Sequence, residues 1–254
     1  EDGWTFGKSG ATAVLTAKEL FHHSHNPKSK DHDDSKEVQI SAMHQLYTLS
    51  KADYTGRASV PVLWDTHTGT IVSNESADII RMFCSGKFTA TPADGGGNDD
   101  GSNNDNEGID LLPEELTDDI EAMIGLNSAA VNNGVYKCGF ASTQQAYDEA
   151  VSALFQRLDE LDELLGNQRY LMNGNAITMA DIALFPALYR FDEVYHTHFK
   201  CNQKHLYEYE HLWAYAREIY QTRNIHATCR MDIIKEHYYT SHESIHPRRY
   251  IPVG

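Results

Sequence analysis

Apolar and polar positions change rhythm partway along the chain. Ser59-Val60-Pro61-Val62-Leu63-Trp64 is a short apolar run that reads as a buried strand, and Gly69-Thr70-Ile71-Val72 reads as its partner. Asp65-Thr66-His67-Thr68 supplies the turn between them. Asn74-Glu75-Ser76 then opens a helix whose apolar positions are Ile79, Ile80 and Phe83. A β-hairpin followed by a helix is expected here. Further on, Tyr147, Val151, Leu154, Leu158, Leu161 and Leu165 recur at steps of four and three, which places them on one helical face. Asp148 and Glu149 suit the first turn of that helix, and Gly166 is the expected stop. The bland reading of the stripe, a packed bundle helix, is the one adopted.

The next helix carries a clearer start. Thr178 and Asp181 have the spacing of a capping box with Asp in place of Glu or Gln, and Ile177 and Ile182 stand at the staple positions. Ile182, Leu184, Phe185, Leu188, Phe191 and Val194 cover more than one face, which predicts a helix at the centre of its bundle. Pro186 within it predicts a kink or a lost hydrogen bond. Two more helices are expected around Leu212–Tyr220 and Met231–Tyr239. The fold class is therefore α+β and mostly α.

Two stretches interrupt this pattern. Residues 22–37 are almost wholly polar, and residues 91–110 are rich in Gly, Asn and Asp. Neither can bury enough apolar surface to offset the entropy of ordering, so both are expected to be mobile loops. The expected organisation is a first domain over 1–90 with an insertion at 22–37, a linker over 91–110, and an all-helical domain over 111–254.

Charge narrows the partners. A formal net charge of −16 argues against nucleic acid, whose phosphates need clustered Lys and Arg. No apolar run approaches the ~20 residues that span a bilayer. Glu1-Asp2-Gly3-Trp4 carries neither a basic region nor an apolar core, so no targeting peptide is expected there. Lacking Met, that start is expected to be a processed, split or truncated end. Cys84, Cys138, Cys201 and Cys229 form no CxxC pair, which reads as reduced thiols in an intracellular compartment or organelle matrix. Histidines cluster at His22-His23-Ser24-His25, at His196 and His198, and at His242 and His246. The first group sits in the polar stretch and the others lack evident co-ligands, so no metal is expected.

A Val-Pro strand, a Glu-Ser helix start and a capped central helix together resemble a glutathione transferase. The segments GWTF (3–6), VPVLWD (60–65), TIVSNESADIIRMF (70–83), NNGVYK (132–137), FDEVYHTHFKC (191–201) and HYYTSH (237–242) are similar to the glutathionyl-hydroquinone reductases, the Xi class of that superfamily. The resemblance implies a thioredoxin-like domain, here seen as its hairpin and helix, joined to an all-helical transferase domain. It also implies a homodimer through the helical domains. The family's catalytic cysteine lies in a Cys-Pro motif, and none of the four cysteines precedes a proline. The chain is therefore expected to begin after the β-α-β segment that would carry it.

The resemblance implies glutathione as co-substrate, with Trp4, Val60, Glu75 and Ser76 around it. Val60, before a proline expected to be cis, would dock the tripeptide backbone. A helix start favours an anion, so Ser76 would hold the γ-glutamyl carboxylate and Glu75 the ammonium. Read without the family, the same two residues are an ordinary capped helix start. Tyr136 and Tyr238 match the family's substrate-site tyrosines, with Tyr239 as the fallback if the register slips by one. Any of the 14 tyrosines taken alone would more often be structural. Cys201 reads as a buried structural thiol. The implied activity removes glutathione from glutathionyl-hydroquinones through a cysteine mixed disulfide. The competing reading is a catalytically silent, transferase-like subunit docked in a larger assembly.

Overall fold

A computed structural model describes residues 40–85, 110–172, 174 and 176–253. Trp4, the polar stretch at 22–37 and the linker over 91–109 lie outside the described residues. The chain divides into two compact units, residues 1–83 and 84–254.

In the first unit, α1 (Met43–Ser50) precedes β1 (Leu63–Asp65) and β2 (Thr70–Ser73), and α2 (Ser76–Cys84) follows. The hydrophobic pattern gave no warning of α1. It is only eight residues long and buries Met43, Leu46 and Tyr47. Its start is held by Gln45, whose Oε1 accepts from the Ser41 and Ala42 N–H groups at 2.8 and 2.9 Å. That arrangement satisfies donors that a helix start leaves unpaired. The buried face packs with Ile40 against Val62, Trp64 and Ile71 of the hairpin.

The hairpin is antiparallel, pairing Leu63 with Ser73, Trp64 with Ile71 and Asp65 with Thr70. Its first strand is shorter than expected and begins at Leu63 rather than Ser59. Pro61 offers no N–H to a ladder, and the register is irregular between Leu63 and Trp64. The turn lies where the sequence placed it. Asp65 Oδ1 accepts from the His67 N–H at 2.8 Å and Oδ2 from the Thr68 hydroxyl at 2.7 Å. Gly69 closes the turn with φ 67°, a conformation that costs glycine little.

The second unit is helical. α3 (Thr117–Asn127) runs into a π-helical turn (Ser128–Asn132) and then α4 (Gly134–Gly139). α5 (Gln144–Asn167) follows, with α6 (Met179–Tyr189), a second π-helical turn (Phe191–Tyr195) and the single turn α7 (His196–His198). α8 (Glu210–Gln221), α9 (Ile225–Thr228) and α10 (Met231–Ser241) complete it. Among the described residues, no helix is long and apolar enough to cross a membrane.

The α5 stripe is buried at Val151, Leu154, Phe155, Leu158, Leu161 and Leu165, while Tyr147 is half-buried. Gly166 does not end this helix, which continues through Asn167. Its role is close approach: a Cβ there would stand 2.9 Å from His211 Cδ2. α5 also anchors α8, because Asp162 Oδ1 accepts from the His211 and Leu212 N–H groups at 2.9 and 2.7 Å.

α6 begins at the predicted box, but its α-helical part is shorter than expected. It stops at Tyr189, and Phe191 and Val194 belong to the π-helical turn. Asp181 is fully buried. Its Oδ2 accepts from the Thr178 N–H and hydroxyl at 2.8 and 2.9 Å, and its Oδ1 from the Leu171 N–H at 3.0 Å and the Tyr215 hydroxyl at 2.8 Å. Burial and the neighbouring carboxylate raise the Tyr215 pKa well above its ordinary value, so this hydroxyl remains a donor. Replacing Asp181 with Ala strands these buried donors at once. The expected loss is about 3–5 kcal/mol of unfolding free energy, read from the urea midpoint at constant m-value.

Candidate functional site

The first unit brings together the residues expected at a glutathione site, Trp4 excepted. The Val60–Pro61 peptide bond is cis, and Val60 is 41% exposed. α2 opens at Ser76, with Glu75 one residue before it, and both are exposed. The hairpin register runs β1 and β2 in opposite directions, so the residues before Leu63 lie beside those after Ser73. A direct bond fixes this neighbourhood: Asn74 Nδ2 donates to Ser59 Oγ at 3.0 Å. Tyr47 of α1 donates to the Ser59 carbonyl at 2.9 Å, holding the same strand end from below. One residue beyond each end of the Asn74–Ser59 bond stand Val60, itself exposed, and Glu75, at the helix start. The free N–H groups of that start favour an anion.

In the second unit three tyrosines from three elements meet through their hydroxyls. Tyr136 comes from α4, Tyr238 from α10 and Tyr195 from the second π-helical turn. The Tyr238 hydroxyl is hydrogen-bonded to that of Tyr136 and, at 3.2 Å, to that of Tyr195. Tyr195 and Tyr238 are buried, whereas Tyr136 is 38% exposed. The cluster thus runs from the interior to the surface. Tyr136 and Tyr238, named from the sequence, are brought into contact. Tyr239 is turned away and donates to the Glu193 carbonyl at 3.1 Å, which makes it a packing residue. Tyr195 was not singled out from the sequence, although it lies in the FDEVYHTHFKC run. Nothing in its spacing distinguishes it from other buried tyrosines until α10 is folded against it.

Burial pushes the Tyr136 phenol far up, and its bond to Tyr238 adds to the rise. Burial does the same to Tyr195, followed by the nearby Tyr238 and Tyr136. Arg190 opposes both rises without reversing them. These two phenols therefore stay protonated at neutral pH, as a proton donor must. An aromatic shell supports them. Tyr195 stacks on Phe199 with centroids 5.6 Å apart, and Tyr136 leans on the same ring at 5.1 Å. Gly139 permits this, since a Cβ there would lie 2.3 Å from Phe199 Cδ1.

The histidines named from the sequence also meet in part. His198 Nε2 and His242 Nδ1 share a hydrogen bond of 3.0 Å, and His246 lies edge-on to His198 at 6.1 Å. His196 instead stacks on His205 at 3.6 Å. Among the described residues no group of three or more His, Cys, Asp or Glu is disposed to hold a metal ion. Cys201 is buried, as expected.

Comparison with known proteins places the chain in a family. Residues 144–218 match the family "Glutathione S-transferase, C-terminal domain". The chain is 41% identical over 256 aligned residues to the glutathionyl-hydroquinone reductase YqjG of Escherichia coli K12, covering 100% of this chain and 67% of that protein. The glutathione-bound structure of that protein superimposes with a TM-score of 0.79 at 40% identity, covering 100% of this chain and 71% of that one. A Xi-class transferase from Natrialba magadii gives a TM-score of 0.77 at 40% identity, covering 100% and 67%. The chain spans about two thirds of the length of the curated relatives it matches.

Burial lowers the pKa of His198 to about 4, with His242 and His246 adding to the effect, and it lowers that of His242 as well. The folded state thus prefers neutral imidazoles. The stability they confer is complete above the unfolded histidine pKa near ~6.5 and declines as pH falls towards 4. Replacing His198 with Gln should flatten the dependence of unfolding free energy on pH between roughly 6.5 and 4, by at most ~1.4 kcal/mol per pH unit. Urea titrations of both proteins across that range measure the difference.

Proposed function

Because the chain belongs to the Xi-class glutathione transferases, the family of the glutathionyl-hydroquinone reductases, we propose that it acts in the glutathione-dependent reduction of glutathionyl-hydroquinones. The observation that carries this reading is the hydrogen-bonded cluster of Tyr136, Tyr195 and Tyr238, with burial holding the Tyr136 and Tyr195 phenols neutral. In the proposed reaction a cysteine thiolate attacks the sulfur of the conjugate. The carbon–sulfur bond breaks, and the departing ring carbon takes a proton, which leaves a free hydroquinone and a protein–glutathione mixed disulfide. A second glutathione then attacks that disulfide, releasing oxidised glutathione and restoring the thiol.

Tyr136 and Tyr238 take the substrate hydroxyls and deliver the proton. Tyr136, the half-exposed member, meets the ring, and Tyr238 orients it from behind. Tyr195 is a positioning residue, because it acts through Tyr238. Val60 docks the glutathione backbone by strand-like pairing, and Ser76 with the α2 amides takes the γ-glutamyl carboxylate. Glu75 pairs with the ammonium, and Trp4 closes over the tripeptide. None of the four cysteines stands before a proline, and Cys84, Cys138 and Cys201 are buried. The reading therefore draws the attacking sulfur from outside these 254 residues. The helical domain is proposed to pair with that of a second copy.

Replacing Ser76 with Ala should weaken glutathione binding by about 1.5–3 kcal/mol, as for a lost hydrogen bond to a charged group. Calorimetric titration of the chain with glutathione measures this, and an unchanged affinity removes Ser76 from the site. Tyr136→Phe and Tyr238→Phe should each lower kcat on a glutathionyl-hydroquinone by roughly 10–1000-fold while leaving glutathione affinity unchanged. That assay uses the protein isolated with its natural N-terminus. If that protein binds glutathione yet has no reductase turnover, the catalytic proposal fails and the subunit is a silent one.

A further inference from the structure

Two thiols that the proposed reaction does not use lie in contact beside the tyrosine cluster. Cys138 stands near the end of α4, two residues beyond Tyr136, and Cys201 stands in the segment after α7. Both are free and buried, and each thiol is the leading electrostatic neighbour of the other. Cys201 Sγ also lies 3.9 Å from the carbonyl oxygens of Val135 and Phe199. The pair therefore joins two elements that are 63 residues apart in sequence (201 minus 138).

The backbone around Cys201 is firmly placed. Its N–H donates to the Tyr195 carbonyl at 3.1 Å. Lys200 before it adopts φ 60°, and its carbonyl accepts the Tyr147 hydroxyl at 2.6 Å. Cys138 sits in a helix whose next residue, Gly139, lies against Phe199. The two sulfurs are thus presented to each other by anchored backbone rather than by a chance rotamer. A surface depression of about 390 Å³ is lined by Cys138, Thr143, Tyr147, Lys200 and Asn202, so the Cys138 side has a route from solvent wide enough for a small molecule.

The two thiols are not equivalent. The neighbouring Cys201 thiol lowers the Cys138 pKa against the opposing effect of burial, whereas Cys138 and burial together push the Cys201 thiol far up. Such asymmetry separates an attacking sulfur from a resolving one. Cys229, by comparison, donates to the Ile225 carbonyl of its own helix at 3.3 Å.

We propose that Cys138 and Cys201 form a reversible intrachain disulfide when the protein meets a small hydroperoxide. The Cys138 thiolate attacks the terminal peroxide oxygen, the O–O bond breaks, and the alcohol or water leaves with a proton. Cys138 is then a sulfenic acid. Cys201 attacks its sulfur, its own proton passes to the departing hydroxide, and water leaves as the S–S bond forms. Two thiols lose two hydrogens in all and one hydroperoxide is reduced. The link ties α4, which carries Tyr136, to the segment that follows Tyr195 and Phe199, so oxidation acts on the support of the tyrosine cluster.

Peptide mapping of the folded chain tests this without any variant. Trypsin cleaves after Lys137 and after Lys200, so each cysteine begins its own peptide, 138–157 and 201–204. After brief exposure to hydrogen peroxide at a few equivalents, alkylation and digestion, these peptides should appear linked. Their combined mass should be lower by two hydrogens, and dithiothreitol should separate them. In Cys201→Ser, Cys138 should be trapped by dimedone as the sulfenic acid. In Cys138→Ser, Cys201 should remain an alkylatable thiol. Recovery of both cysteines as free thiols under peroxide that already oxidises Cys229 overturns the proposal. So does sulfinic acid at either position without a link, or a link to Cys84 or Cys229.

Discussion

One carboxylate holds the helical unit together. Asp181 is buried and, among the described residues, has no ion pair, a placement that costs several kcal/mol unless hydrogen bonds replace its lost hydration. It receives that replacement from three different places: its own helix start at Thr178, the loop at Leu171 and α8 through Tyr215. The geometry of α6 therefore cannot relax independently of its neighbours. α6 leads directly into the π-helical turn that carries Tyr195, so the position of the tyrosine cluster is inherited from this hub.

Much of this architecture was written in local pattern. The α5 stripe, the Thr178–Asp181 box and the turn beginning at Asp65 each depend on residues within a few positions of one another, and these are the features the sequence placed well. The misses share a different cause. Gly166 lies inside α5 instead of ending it, and the reason for a glycine there is the approach of His211, some 45 residues away in sequence. The shortening of β1 reflects Pro61 and an irregular register that pattern alone does not reveal. α1 was overlooked because its eight residues hold only three buried positions.

The candidate site divides in the same way. Tyr136 and Tyr238 were legible through family motifs, since 102 residues separate them and no periodicity links them. Tyr195 was not, because its importance lies in a hydroxyl contact made only after α10 packs. The choice between Tyr238 and Tyr239 could not be made from adjacent letters in HYYTSH. The helix decided it by pointing one hydroxyl at the cluster and the other at the Glu193 carbonyl. Nor did the sequence disclose that Cys138 and Cys201 are neighbours, since nothing local records a contact between distant segments.

Both π-helical turns border the tyrosine cluster: one ends just before α4, and the other contains Tyr195. A π-turn accommodates one residue more than regular helix would, and wide turns of this kind often mark functional sites. Each residue of an α-helix advances the screw by roughly 100°. Such a π-turn takes in its additional residue within one widened winding, so the helix on either side keeps a common face although the chain is one residue longer. The meeting of hydroxyls therefore draws on two short widened windings as well as on the identity of the tyrosines.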